Sequence, residues 1–507
     1  MPGLRRPRAV LVSTGLGLIA ATTAVALAAC SMGGPGRVAT IGEVDLDTPL
    51  PVPPLAESTV EPDGTRVFSL EPQAGTTEFA PGVASETWGF DGSYLGPTLV
   101  AGRGERVRVD VGNRLEVPTT VHWHGMHLPA EMDGGPHQMI APGDTWSPEW
   151  TVDQRAATLW YHPHPHGETE EHVARGLAGL FLVRDDAEGA LPLPREYGVD
   201  DLPVIVQDAA FTDEGRLETP PQGFAGRLGD ELLVNGVRGA YAEVADELVR
   251  LRLLNASTAR SYAFGWDDGS PIDVIATDGG LLPASVALER VMLSPGERAE
   301  VVVRMAPGER RTLQSVMTPA AAGLQPVVAG MNGATDEFDV LELRAADVLD
   351  PSPELPERLV ELPPIDTDIA VTRTFDLNGF QINGEQMRSD RIDETVTVGT
   401  AERWIVSNPS GVPHSFHVHD VQFRVASVDG APPPPELAGW KDTVYVRPET
   451  EYELILRFGD FADPDTPYMY HCHLLWHEDQ GMMGQFAVVE PGQRATMTEE
   501  TNDHDHH

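Results

Sequence analysis

One strand pattern recurs three times along the 507 residues and limits the fold more than any other feature of the chain. In Glu105-Arg-Val-Arg-Val-Asp-Val-Gly-Asn113, the valines at 107, 109 and 111 alternate with polar residues. Glu247-Leu-Val-Arg-Leu-Arg-Leu-Leu-Asn255 repeats the theme, as does the stretch from Thr395 through Trp404 to Asn408. Alternation of period two, closed by a turn residue, reads as a half-buried strand. Each copy is followed by a proline-led turn and another strand: Ala141-Pro-Gly-Asp144, Ser294-Pro-Gly-Glu297 and Arg447-Pro-Glu-Thr450. The closing asparagines stand 142 and 153 residues apart, a domain-sized period too long for a solenoid. The pattern predicts an all-β chain of three Greek-key β-sandwich domains, at residues 61–190, 198–350 and 368–492. Asp350 to Pro364 holds five prolines and reads as a linker. The best short helix candidate is Glu168 to Leu177.

The N-terminus reads as an address. Arg5, Arg6 and Arg8 precede an uncharged apolar run from Ala9 to Ala29, the layout of a secretory signal. Leu27-Ala28-Ala29-Cys30 resembles a bacterial lipobox. The expectation is therefore a signal peptide at 1–29, with lipid on Cys30 anchoring an exported protein to the outer face of the cytoplasmic membrane. Residues 30–60, rich in Gly, Pro and small residues, read as a flexible tether. Residues 493–507 form an acidic tail ending in Asp503-His-Asp-His-His507.

A formal net charge of −43 argues against nucleic acid as a partner, because phosphate binding needs basic surface. The same charge would draw cationic donors such as metal ions or amines, or it reflects compositional bias alone. Of the 35 basic residues only Lys441 is a lysine. Two cysteines, Cys30 and Cys472, cannot build a disulfide scaffold. A monomer is expected.

Chemistry is concentrated in the histidines. Fourteen of 17 fall in four windows, 122–137, 162–172, 414–419 and 471–477, and none lies between 173 and 413. His122-Trp-His124, His162-Pro-His164, His417-Val-His419 and His471-Cys-His473 are His-x-His pairs. On a strand, residues two apart share a face, so each pair presents two imidazoles together. The same alternation turns Cys472 to the opposite face, where one strand can serve a second metal site. His414, His477 and Met482 are available to that side. Two imidazoles, a thiolate and a weak thioether describe a blue-copper electron-transfer site. Zinc also takes thiolate, though a structural zinc site would recruit more of it. The other eight imidazoles make an all-nitrogen site of the kind copper favours.

Four motifs now stand together: His122-Trp-His-Gly125, His162-Pro-His-Pro-His-Gly167, His414-Ser-Phe-His-Val-His419 and His471-Cys-His-Leu-Leu-Trp-His-Glu-Asp-Gln-Gly-Met482. The chain resembles three-domain multicopper oxidases, the group of laccases, bilirubin oxidases and bacterial cuprous oxidases, over about residues 65–492. The resemblance implies cupredoxin-like domains and four copper ions. Cys472, His414 and His477 would bind the type 1 copper, with Met482 axial. His122 and His417 would bind the type 2 copper. His124, His162, His164, His419, His471 and His473 would bind the type 3 pair. Asp133 and Glu478 resemble the family's proton-handling acids. The implied reaction is laccase-like: four one-electron oxidations of phenols or aromatic amines coupled to reduction of dioxygen to water. The alternatives are oxidation of Cu(I), Fe(II) or Mn(II), and a copper-binding or cell-envelope scaffold without oxidase activity. Scaffold relatives have lost copper ligands, whereas all are kept here. Cuprous oxidases carry a methionine-rich insertion, whereas Asp350 to Thr400 holds only Met387, and Ser410 stands where they often have an acid. His127, His137, His166 and His172 match no ligand position and read as supporting or surface residues. With Met126, Met132 and Met139, two of them (His127 and His137) could instead form a soft Cu(I) patch.

Overall fold

The computed structural model describes residues 37–496. Its sheets fall into three groups along the chain. In the first, the strands Arg66–Leu70 and Arg106–Gly112 lie at the centre of a five-stranded sheet. That sheet faces a four-stranded one ordered Leu99–Gly102, Gly179–Arg184, Ala157–His162, His122–His124. Val107, Val109 and Val111 point between the two and are wholly buried, which is why the alternating pattern makes a strand here. The second group pairs a six-stranded with a seven-stranded sheet, and the third a six-stranded with a five-stranded one. The third group's five-stranded sheet runs Glu394–Thr397, Met483–Val489, Tyr468–Cys472, His414–Val418, Thr443–Val446. Each group encloses its own apolar core.

The recurring asparagines do the same job in all three groups. Asn113 donates its side-chain amide to the carbonyls of Val117 and Ile140, at 2.9 and 2.8 Å. Asn255 does so to Arg260 and Leu293, and Asn408 to Val412 and Val446. In each case the second acceptor immediately precedes the proline-led turn, so one buried amide ties the strand end to that turn. The side-chain oxygens complete the motif by accepting from Leu115, Ser257 and Ser410 N–H.

Two expectations are corrected. The strand Leu248–Asn255 is buried on both faces, not one. Its polar face lies against the first sandwich, where Arg250 and Arg252 meet Glu188, Asp201, Glu300 and Thr158. Buried charges persist only when paired, and this set is paired throughout. Residues 37–60, read as part of a tether, are laid on the body instead. Thr40 N–H donates to the Glu337 carbonyl, Thr48–Pro49 pair with Ala240–Tyr241, and Ser58–Val60 pair with Arg66–Phe68. Prolines 49, 51, 53 and 54 suit this role, because a residue without N–H fits a sheet edge. Cys30, the signal segment and the histidines of the tail lie outside the described residues.

Residues 351–368 form no strand, yet Leu355, Leu359 and Val360 pack with Leu193, Ile275 and Leu281. Helices are short: Thr169–Ala174 lies within the helix candidate at the end of the second histidine window, and Leu475–Asp479 follows Cys472. Among the described residues no helix is long and apolar enough to cross a membrane.

Candidate metal centre

Two pairs of antiparallel strands deliver the histidines. His122–His124 runs beside Ala157–His162, with His122 opposite His162. His414–Val418 runs beside Tyr468–Cys472, with His417 opposite His471 and Phe416 opposite Cys472. His164, His419 and His473 lie just past the strand ends. The first and third sandwiches meet here: His124 stacks on His417 at 3.7 Å and His122 on His419 at 3.8 Å between ring centroids.

Eight histidines form three buried groups, each with ligand atoms within 4.8 Å of one another: His122, His124, His417; His124, His162, His473; and His164, His419, His471. Their nitrogens test whether a metal belongs. His122 Nδ1–H donates to the Asp133 carbonyl at 2.9 Å and His417 Nδ1–H to that of Asp442 at 2.9 Å. His162 Nδ1–H donates to the Pro163 carbonyl at 2.8 Å. The opposite nitrogen, Nε2, of each of these three rings is buried without a partner. His124 is turned over: Nε2 is held by Asp442 Oδ1 at 3.1 Å and Thr443 Oγ1 at 3.0 Å, leaving Nδ1 orphaned. The Nε2 atoms of His164 and His419 each lie 3.2 Å from His471 Nε2. Burial, reinforced by neighbouring imidazoles, holds His124, His162, His417 and His419 well below the ordinary histidine pKa. Neutral rings with converging, unpaired nitrogens in a buried space cost stability unless a cation takes their lone pairs. The residues fit a metal cluster.

The second site lies on the other face of the same strand. Cys472 Sγ is 3.6 Å from His414 Nδ1 and 3.6 Å from His477 Nδ1. Cys472 and Met482 are fully buried in the apolar core of the third sandwich, and Cys472 N–H donates to the Met482 carbonyl at 3.0 Å. Burial pushes the Cys472 thiol up to about 12, so a metal must displace its proton. His471 and His473 join two different groups of the cluster, while the residue between them faces the thiolate site.

Both expected acids lie against the cluster. Asp133 Oδ2 accepts from His419 Nδ1 at 2.7 Å. Glu478 sits between His471 Nδ1 at 3.1 Å and His164 Nδ1 at 3.4 Å. Burial works to raise the Glu478 pKa, but the neighbouring His164 and His471 hold it below the usual carboxylate range. Several supports come from outside the motifs. Asp442 and Thr443 hold His124, and Arg298 grips both oxygens of Asp442, at 2.7 and 2.6 Å. Gly296, in the turn of the middle sandwich, has φ +85° and lies close against the cluster, where an added Cβ would be 3.0 Å from His473 and 3.1 Å from His124. Ser415 bonds Ser294 at 2.8 Å and accepts the His473 N–H at 2.6 Å. Lys441 is buried next door, with Nζ 2.9 Å from Asp278 and 3.0 Å from Glu297. The middle sandwich brings no histidine, yet it braces the cluster from behind.

The remaining histidines stand apart from these groups. His127 binds Asp420 at 2.6 Å and Asp460 at 2.9 Å, His137 bonds Gln485, His172 bonds Thr119 at 3.1 Å, and His166 is exposed. The soft-metal patch is not assembled: Met126 is in the first core, Met132 packs against that core, and Met139 faces solvent.

Known proteins agree with this geometry. Residues 71–188 and 362–492 match multicopper oxidase family domains. The cell division protein FtsP of Dickeya dadantii is 40% identical, covering 87% of this chain and 92% of its own. A laccase from Pediococcus acidilactici superposes with a TM-score of 0.79 at 33% identity, covering 87% of this chain and 94% of its own. The laccase-like multicopper oxidase of Ochrobactrum sp., whose structure was described with activity towards lignin model compounds, gives 0.78 at 34%, over 87% and 100%. Built on cupredoxin-like sandwiches with the four histidine motifs brought together, this chain belongs to the multicopper oxidase family.

Proposed function

We propose that the protein is a copper-dependent oxidase of laccase type, taking single electrons from phenols or aromatic amines and reducing dioxygen to water. One observation carries this reading: ten of the eleven motif histidines, all but the exposed His166, converge with Cys472 in buried groups, with Met482 buried in the core beside Cys472. In this reading His414, Cys472, His477 and Met482 hold the type 1 copper, and His122 and His417 the type 2 copper. His124, His162 and His473 hold one type 3 ion, and His164, His419 and His471 the other. Bound copper would supply the one-electron steps and the chemistry of dioxygen. The chain does the rest. The backbone from Cys472 to His471 and His473 is a bonded path between the two sites. Asp133 and Glu478 stand where protons are needed, and burial keeps bulk water away. Export, with lipid on Cys30, belongs to the same proposal.

Glu478→Gln should slow oxygen consumption by about a hundredfold or more, as loss of a positioned acid does, and leave the blue absorption unchanged. Turnover equal to the parent across pH would remove Glu478 from proton delivery. Met482→Leu should raise the type 1 potential in a redox titration, because the axial thioether favours the oxidised ion; an unchanged potential would mean that Met482 is no ligand.

The deciding experiment is oxygen uptake by copper-loaded protein with phenols, aromatic amines, bilirubin, Cu(I), Fe(II) and Mn(II). Fastest turnover with the phenols and amines is expected, and no uptake with any donor would overturn the oxidase reading. A second reading has its own support, the 40% identity to FtsP, named as a cell division protein. There the chain would act as an envelope scaffold, and division would not need its metal.

A further inference from the structure

The nitrogen of His477 that turns away from Cys472 is already taken. Its Nε2–H donates to the backbone carbonyl of Phe224 at 3.0 Å, and the residue is 0% exposed. Phe224 stands at the tip of a tight loop of the middle sandwich, in which Gln222 and Arg227 are bridged and Gly223 N–H donates to the Gly226 carbonyl at 3.1 Å. The loop is tied to the first sandwich: Arg227 N–H donates to Glu170 Oε1 at 3.0 Å and its guanidinium to Glu171 Oε2 at 2.9 Å. At Gly226, φ is +130° and an added Cβ would lie 2.7 Å from the Ala259 Cβ, so the loop's path depends on that glycine.

Over the same imidazole lies an aromatic rim. The Phe224 ring is edge-on to His477 at 5.6 Å and stacks on Phe380 at 5.5 Å. Phe380 is 5.2 Å from His477 and 6.4 Å from Trp476. All three rim residues are half-exposed, so their outer faces meet solvent. A donor arriving here finds no free nitrogen on His477 to bond or share. It finds flat apolar rings, on which planar aromatic molecules stack. The carbonyl bond also makes the imidazole a stronger electron donor to whatever its other nitrogen holds.

We propose that the Gln222–Arg227 loop is a fixed cover over the type 1 site. It bars donors that must coordinate or hydrogen-bond to His477 and makes the rim of Phe224, Phe380 and Trp476 the landing face for planar aromatic donors. The proposal rests on the oxidase reading and deepens it. One electron passes from the donor to the type 1 copper, and a phenolic donor gives up its proton to the solvent at the rim as it becomes a radical; no bond to the protein forms.

The test uses the copper-loaded full chain without oxygen, following bleaching of the blue band by hydroquinone and by ferrocyanide, alongside redox titration. Phe224→Ala keeps the carbonyl and removes the ring. The hydroquinone dependence should move to about fivefold higher concentration, the equivalent of one lost stacking contact, with ferrocyanide dependence and potential unchanged. Phe224→Tyr should restore it. Gly226→Ala should displace the loop and raise the potential with the blue band intact. Equal effects of Phe224→Ala on both donors, or none, would overturn the landing face, and this half is decided even if Gly226→Ala does not fold. A blue Gly226→Ala protein at the parent potential would overturn the carbonyl lock. A parent without a blue band would overturn the oxidase reading and this inference with it; a parent that bleaches normally beside insensitive variants would overturn this inference alone.

Discussion

Cys472→Ser should yield a folded, colourless protein whose oxygen uptake falls to background with every donor. Serine keeps the volume of the fully buried side chain, so the core survives. What is lost is the anionic soft ligand. The thiol, already pushed up to about 12 by burial, can still yield its proton to a metal, whereas a hydroxyl in the same apolar pocket cannot. The three imidazole groups do not include this side chain, so copper content should fall from about four to about three ions per chain, because imidazole sites persist without the thiolate. Metal analysis checks this directly. Oxygen uptake near the parent rate would mean that electrons reach the cluster by another path. The variant also separates the two readings of function: if it restores normal division to a strain lacking the protein, any scaffold role is independent of the type 1 copper.

Glu300→Leu should cost about 3–5 kcal/mol of stability, the usual result of removing one partner from a buried ion pair. Glu300 is 2% exposed and bonds Arg250 Nε at 3.0 Å, Arg252 Nη1 at 2.7 Å and Thr158 Oγ1 at 2.6 Å. Leucine would leave two buried guanidiniums facing the remaining carboxylates of Glu188 and Asp201, at the seam between the first and middle sandwiches. Burial works to raise the Glu300 pKa, but Arg250 and Arg252 hold it below the ordinary value. A depressed carboxyl stabilises the fold fully above its unfolded pKa, and that contribution is lost as pH falls through the folded one. The variant should therefore lose most stability near neutral pH and differ less from the parent in acid. Urea unfolding at both pH values is the check; a loss under about 1 kcal/mol at neutral pH would mean that the seam relaxes around the gap.

The eight histidines of the three imidazole groups were legible because they come in pairs two residues apart, beside strands whose alternation fixes which face they share. Glu478 was legible because it sits inside the last motif, and Asp133 because it follows the first one closely, in Glu131-Met-Asp-Gly-Gly135. The braces were not, because they act between sandwiches. Arg298 reaches Asp442 from the middle domain, Thr158 meets Glu300 from the first, and Phe224 reaches His477 over a distance no local period records. The tether was misread for a related reason: prolines and glycines signal an irregular path, and an irregular path can lie on a sheet edge as well as in solvent. One signal was present and unused. In a chain whose basic residues are otherwise all arginine, Lys441 directly precedes the carboxylate that orients His124.

That lysine has a practical consequence. It is the only ε-amine in the sequence, and the fold hides it between Asp278 and Glu297, where burial lowers its pKa but the two acids more than restore it, keeping the amine protonated. Reagents that acylate amines, whether dyes, crosslinkers or resin linkages, therefore meet no side-chain target while the protein is folded. A single target appears when the middle and third sandwiches part, so its acylation rate is a built-in clock for the opening of that one seam.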